Sequence, residues 1–288
     1  MTHRSIPGNS LAAKALRVRF RERIENGTLA LPLLSASAVR VVELSQGEGT
    51  EAAELAHAVR TDPALTAHVL QLVNSAAYAP AEPIFSIEQA ISRMGLAKLA
   101  AIAVAVVCKA DVFRSDKHGE EIERLWLHSS LAGAWAGEIA RMQRRNVEAA
   151  FLAGLLHDVG RPVSLEALDC FEESTKCDLE PDLKQDWLEE IHAPVGKRLL
   201  EQWKFPPEIV DAVAHHHCPE AAGSATELAH IVHLADRCAH WSLADDRSQP
   251  YEALLRDPSV AALHLYRDEI DELLAIADQI QIQAEAMI

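Results

Sequence analysis

The residues best suited to chemistry in this chain are histidines and aspartates in a few contexts: His128, the adjacent His157-Asp158, His192, the run His215-His216-His217, and Asp236. The chain has 14 histidines in 288 residues, and one structural explanation covers them poorly. Neutral imidazole nitrogens and carboxylate oxygens bind divalent Mn, Fe, Ni or Zn, and oxygen-rich sites also accept Mg. Such a site needs side chains from separate helices to meet, which a helical bundle permits. Spacing alone leaves that convergence open. Plain structural readings also stand: His128 as a hydrogen-bonded core histidine, His157-Asp158 as a capping or surface pair, His192 as the end of a polar segment, and Asp236 as a partner of Arg237. Neighbouring helical residues diverge by roughly 100°, so three in a row cannot face one site, and His215 is set aside. His233 and His230, about one and two turns before Asp236, read as packing or supporting residues. Cys218 beside His217 is a minor alternative as a thiolate nucleophile. The chain contains no G-x-G-x-x-G, Walker loop, G-x-S-x-G elbow or H-E-x-x-H.

The elements that must position these groups are helical. Asp62-Pro63 places proline in a first turn, and Ser86-Ile87-Glu88-Gln89 reads as a capping box. Val69, Leu72, Val73, Ile87, Ala90, Ile91 and Met94 repeat at three- and four-residue spacing. Ala101–Val107 is β-prone in composition but continues a capped helix and has no alternating partner, so it is read as helix. Gly154-Leu155-Leu156-His157-Asp158-Val159-Gly160-Arg161-Pro162 predicts an apolar helix ending at the His-Asp pair, with Gly160 as its terminator. Glu172–Asp186, polar and containing Pro181, and Pro219–Ser224 read as loops. The charged stretch Arg114–Glu120 is a plausible junction between two helical regions.

Composition restricts the remaining classes. Hydrophobic residues make up 49% and charged residues 24%, with a net charge of −16, which indicates a globular chain and disfavours binding to nucleic-acid backbone or anionic membrane. Five unpaired-looking cysteines without C-x-x-C, and an amino terminus without an apolar h-region, predict reduced thiols and a cytoplasmic location. No apolar run is long enough to span a bilayer. The ends differ in charge: residues 1–25 carry six basic residues against two acids, whereas 251–288 carry eight acids against two arginines. These ends are solvated faces, or they dock on each other or on partners. The stripe Ile270, Leu273, Leu274, Ala277 and Ile280 must be buried, and a homodimer is one way to bury it.

Taken in order, the motifs resemble those of the HDOD branch of the HD superfamily of metal-dependent phosphohydrolases, over roughly residues 26–240. The similar segments are Leu31-Pro32-Leu33-Leu34, Asp62-Pro63-Ala64-Leu65-Thr66, Leu72-Val73-Asn74-Ser75-Ala76 and Ser86–Ile91 with Gly95 in the first half. In the second they are Phe151–Asp158, Gln202-Trp203-Lys204-Phe205-Pro206 and Ala214–His217. The resemblance implies an all-α, two-lobed module with an HD-type helical bundle as second lobe. Expected boundaries are 1–25 for a basic extension, 26–115 for the first lobe, 116–245 for the HD-type lobe and 246–288 for an acidic tail. It further implies that His128, His157, Asp158 and Asp236 correspond to metal ligands, with His192, His216 and His217 matching histidines of a second metal position. A metal there would activate water and stabilise phosphoryl charge. Arg161 stands where the family often has lysine and could hold phosphate as a permanently charged fork. The expected function is a bacterial signalling protein that binds a protein partner and a divalent metal. The alternative is an active phosphohydrolase on a nucleotide or other phosphoester, with Asp158 and Arg161 as catalytic residues. No Gly-Tyr-Pro follows His217, so a cyclic di-GMP phosphodiesterase is disfavoured.

Overall fold

The computed structural model describes residues 4–6, 11–29, 31–46, 49–115, 117–246 and 248–287. Met1–His3, Pro7–Ser10 and Asp116 therefore lie outside the described residues, as do parts of the expected extension and junction.

The chain is an all-α, two-lobed module. After a three-residue strand β1 (Arg4–Ile6) and helix α1 (Leu11–Glu25), the first lobe comprises α2 (Ala36–Gln46), α3 (Ala52–Arg60), α4 (Pro63–Val73), α5 (Ile87–Met94) and α6 (Leu96–Asp111). Asp62 caps α4 by accepting the amides of Ala64 and Leu65, both at 3.0 Å, ahead of Pro63 in the first turn. Ser86 caps α5 by accepting from Gln89 N. The reciprocal bond reaches one residue further than a capping box requires, since Gln89 Oε1 accepts from Phe85 N. The expected continuous helix breaks at Gly95, whose φ is +87°, before α6 begins. Ala101–Val107 is helical nonetheless. Most of α6 from Leu99 to Cys108 is buried, against α2, α4, α5 and α8 of the second lobe, so burial on all sides outweighs its β-prone composition.

The second lobe is built from α7 (Gly119–Met142), α8 (Val147–Leu156), α9 (Gly160–Thr175), strand β2 (Cys177–Leu179), α10 (Pro181–Gln202), α11 (Pro207–Ala214) and α12 (Thr226–Leu243). Most of the expected loop Glu172–Asp186 is regular structure. Pro181 occupies the first turn of α10, where its missing N–H costs no helix bond, so a residue read as a breaker is a starter. Pro219–Ser224 forms short 3-10 turns. β1 and β2 pair in parallel, Ser5 opposite Asp178, which is too short to alter the fold class.

The tail forms α13 (Ser248–Leu255), α14 (Pro258–Ala262), α15 (Arg267–Leu274) and α16 (Ala277–Glu285). Its apolar stripe is covered by its own chain: Ile270, Leu273 and Ile280 are buried, and α16 packs on α7. Trp126 Nε1 and Lys109 Nζ both donate to the Met287 carbonyl, at 2.8 and 2.9 Å. Among the described residues, no helix is long and apolar enough to cross a membrane.

Candidate metal centre

Two close helix contacts, each made at a glycine, set the site. The first joins α7 and α8. A Cβ on Gly154 would lie 2.6 Å from the Ala132 carbonyl oxygen, so only glycine lets these backbones approach. One turn beyond Gly154 is His157, and one turn before Ala132 is His128, which brings the two rings to a 5.3 Å centroid separation. The second contact joins α9 and α10. A Cβ on Gly160 would meet the His192 carbonyl oxygen at 2.0 Å. Gly160 is the opening residue of α9 rather than the terminator of α8, and its small size lets α10 approach so that His192 Nε2 comes within 3.4 Å of Asp158 Oδ1.

His128, His157, Asp158, His192, His216, His217 and Asp236 are brought together, and all but His217 are buried. Three overlapping groups have ligand atoms close enough to share an ion: His128, His157 and Asp236; His157, Asp158 and His216; His192, His216 and His217. His157, His192 and His216 each place Nδ1 on a backbone carbonyl, of Gly154 (2.7 Å), Leu188 (2.9 Å) and Val213 (2.7 Å). A carbonyl only accepts, so these Nδ1 atoms carry the proton. In the neutral rings the lone pair is left on Nε2, turned inward.

Asp158 lies at the middle. Its Oδ1 is 3.4 Å from His192 Nε2 and 3.9 Å from His216 Nε2, and its Oδ2 is 3.5 Å from His157 Nε2. His157 Nε2 and Asp158 Oδ1 are buried and without a hydrogen-bond partner. Asp236 Oδ1 accepts from His128 Nε2 at 2.9 Å and is 3.6 Å from His157 Nε2. Burial pushes the His157 imidazole down, but the carboxylates of Asp158 and Asp236 outweigh it and lift the ring to about 9. Burial would raise Asp158, yet His157, Arg161 and His192 together hold it well below the usual carboxylate range. Burial lowers His192, His216 and His217, so these three are neutral, as metal ligands must be.

Arg161 donates Nε–H to Asp158 Oδ2 at 2.8 Å and both terminal nitrogens to Glu189, at 2.9 and 2.7 Å. Three of its five N–H groups are thus engaged. His215 bonds the Asp211 carbonyl and contributes to none of the ligand groups, in line with its helical direction. His233 supports the site from behind, donating Nδ1–H to the His216 carbonyl (2.7 Å), with Nε2 3.2 Å from Asp257.

Two participants are absent from the sequence reading. Glu189 clamps Arg161, and no local motif announces it. His240 lies four residues after Asp236, its Nε2 3.4 Å from Asp236 Oδ1 and its ring 4.6 Å from His128. An Asp-x-x-x-His spacing on one helix face was the available signal. His240 and His217 are the more exposed residues around the cluster.

The second lobe is thus a helical bundle with a histidine and aspartate cluster at its centre. The HDOD domain matches residues 31–219, more than half of the chain, and the chain belongs to that family. It is 23% identical over 250 residues to an uncharacterised protein of Treponema pallidum (strain Nichols), covering 84% of this chain and 47% of that protein, so it spans about half the length of this relative. A crystal structure of a Marinobacter aquaeolei VT8 protein, provisionally named for signal transduction, aligns with TM-score 0.70 and 22% identity over 98% of this chain and 67% of that one. One from Shewanella amazonensis SB2B, provisionally named a metal-dependent phosphohydrolase, aligns with TM-score 0.68 and 20% identity over 94% and 98%. At these identities the structural likeness bears on the fold.

Proposed function

We propose that this protein is an HDOD regulatory module that binds a divalent metal ion in its second lobe and docks a protein partner. The metal is carried by one observation: His157 Nε2 and Asp158 Oδ1 are buried, without a hydrogen-bond partner, and surrounded by further imidazole and carboxylate donors. Orphaned buried polar atoms are rare, and a cation shared among them compensates their desolvation. His128, His157, Asp158 and Asp236 would hold one ion, and His192, His216 and His217 would contribute to a second position. Mixed imidazole and carboxylate donors suit Mn, Fe, Ni or Zn, and the aspartates extend the range to Mg.

A second reading, metal-dependent hydrolysis of a nucleotide or other phosphoester, is supported by the same full donor set. A bound ion would supply Lewis acidity to a phosphoryl oxygen and lower the pKa of water. On this chain, Arg161 holds Asp158 in position and keeps Glu189 charged, and its two remaining N–H groups are available to phosphate. The readings part on turnover. Protein loaded with Mn is assayed against a panel of phosphomonoesters, phosphodiesters and nucleotides. Turnover that disappears in Asp158→Asn with the fold retained establishes the hydrolase. Stoichiometric metal without turnover supports the regulatory reading, and absence of metal binding removes both.

A further inference from the structure

Helix α1 carries two arginine pairs that the His/Asp centre does not use. Phe20 and Ile24 form its buried stripe, with Phe20 edge-on to Phe171 at 5.4 Å. At 3.6 residues per turn, Arg17 and Arg21 flank the stripe on one side and Arg19 and Arg23 on the other. The first pair is spent, since both guanidiniums pair with Glu190 of α10. The second pair is free of carboxylate partners among the described residues. Instead, Arg19 and Arg23 line a cleft of about 590 Å3 between α1 and the end of α9. Among the described residues, Asn26 adds an amide with no side-chain partner, and Glu22 is the only acid in the lining. On the opposite wall, Ser174 and Thr175 donate their hydroxyl hydrogens to the Phe171 carbonyl, at 2.9 and 2.8 Å. The free donors therefore belong to Arg19, Arg23 and Asn26. They form a cationic wall in a chain of net charge −16, where a general anion would find little attraction.

Guanidinium forks bind phosphoryl oxygens in pairs, and residues four apart on a helix are rooted about 6 Å from each other, a spacing suited to two adjacent phosphoryl groups. The volume is that of a small-molecule site. We propose that the α1–α9 cleft is a binding site for a small molecule carrying a diphosphate group, held by Arg19, Arg23 and Asn26. It shares no lining residue with the His/Asp centre and does not depend on metal there.

The full chain, freed of metal with EDTA, is titrated calorimetrically with inorganic diphosphate and with ADP at moderate salt. Saturable binding of one ligand per chain is expected, and the tighter of the two probes identifies the source of the diphosphate. Replacing Arg19→Ser with Arg23→Ser should weaken binding roughly tenfold or more. Glu22→Gln should tighten it, and Asp158→Asn should leave it unchanged. The charge-matched pair Arg141→Ser with Arg144→Ser, away from the cleft, should also leave it unchanged. Absence of saturable binding, survival of binding in the Arg19/Arg23 variant, or equal loss in the Arg141/Arg144 variant would overturn the site.

Discussion

A histidine ligates through the nitrogen that does not carry a proton, and in this protein three backbone carbonyls decide which nitrogen that is. By taking the Nδ1 protons of His157, His192 and His216, the carbonyls of Gly154, Leu188 and Val213 aim three Nε2 atoms at Asp158. His157, lifted to about 9, is charged at neutral pH, so loading the ion that His157 helps to hold should expel about one proton. Calorimetry in buffers of different ionisation enthalpy measures it. The same groups predict the pH dependence of the metal-free protein. His192 and His216 have lowered values, so the stability they contribute is present above about 6.5, the unfolded value, and is lost as pH falls below it. His157 has a raised value, so its contribution is complete below about 6.5 and is lost as pH rises through about 9. Thermal melts of EDTA-treated protein should therefore weaken on both sides of about pH 6.5. A melting temperature flat from pH 5 to 10 would contradict the burial and pairing of these rings. The residue types of the site were legible in the sequence because imidazole and carboxylate are few and distinctive. Glu189 was not, because its partner Arg161 is 28 residues away and only the packing of α9 on α10 joins them.

Helices position the site through two glycines, and variants there separate placement from ligation. Gly160→Ala changes no ligand, but its methyl would meet the His192 carbonyl. It should cost about 1–3 kcal/mol in urea unfolding and also weaken metal binding. Asp62→Ala removes the cap of α4 in the other lobe and should cost about 1 kcal/mol while leaving metal affinity unchanged. Equal effects of the two variants on metal affinity would show that helix placement is not what Gly160 controls. Caps were the most legible elements, since Asp62 and Ser86 act through bonds two or three residues away. Pro181 and Gly160 were misread for a shared reason. Proline and glycine mark the boundaries of helices without saying which side of the boundary they occupy, and here both open one.

At the scale of the whole molecule, the family motif Leu31-Pro32-Leu33-Leu34 acquires a physical role: the Pro32 carbonyl accepts from Trp203 Nε1 and Gln202 Nε2, both at 3.1 Å, tying the start of the first lobe to the end of α10. Trp203→Phe keeps the ring and removes the N–H. It should cost about 0.5–1.5 kcal/mol and raise amide exchange around residues 31–35, with little change in the α7–α8 pair. The charged ends, for which the sequence allowed docking on each other or on partners, dock on different faces of their own chain: α1 on α10 and α16 on α7. Direction of docking was beyond the sequence because the apolar stripe of an amphipathic helix specifies that it is buried and not against what. All functional readings depend on side chains from α7, α10, α12, the α8–α9 junction and the turn after α11 meeting in one centre. The most direct measurement is the divalent metal retained per chain after purification without chelator and gel filtration, compared among wild type, Asp158→Asn and His215→Ala, each checked for native circular dichroism. At least one ion per chain is expected in wild type and in His215→Ala, with occupancy lost in Asp158→Asn. Folded wild type that holds no ion even after incubation with Mn, Fe, Ni, Zn and Mg, or Asp158→Asn that keeps its full complement, would contradict the metal centre.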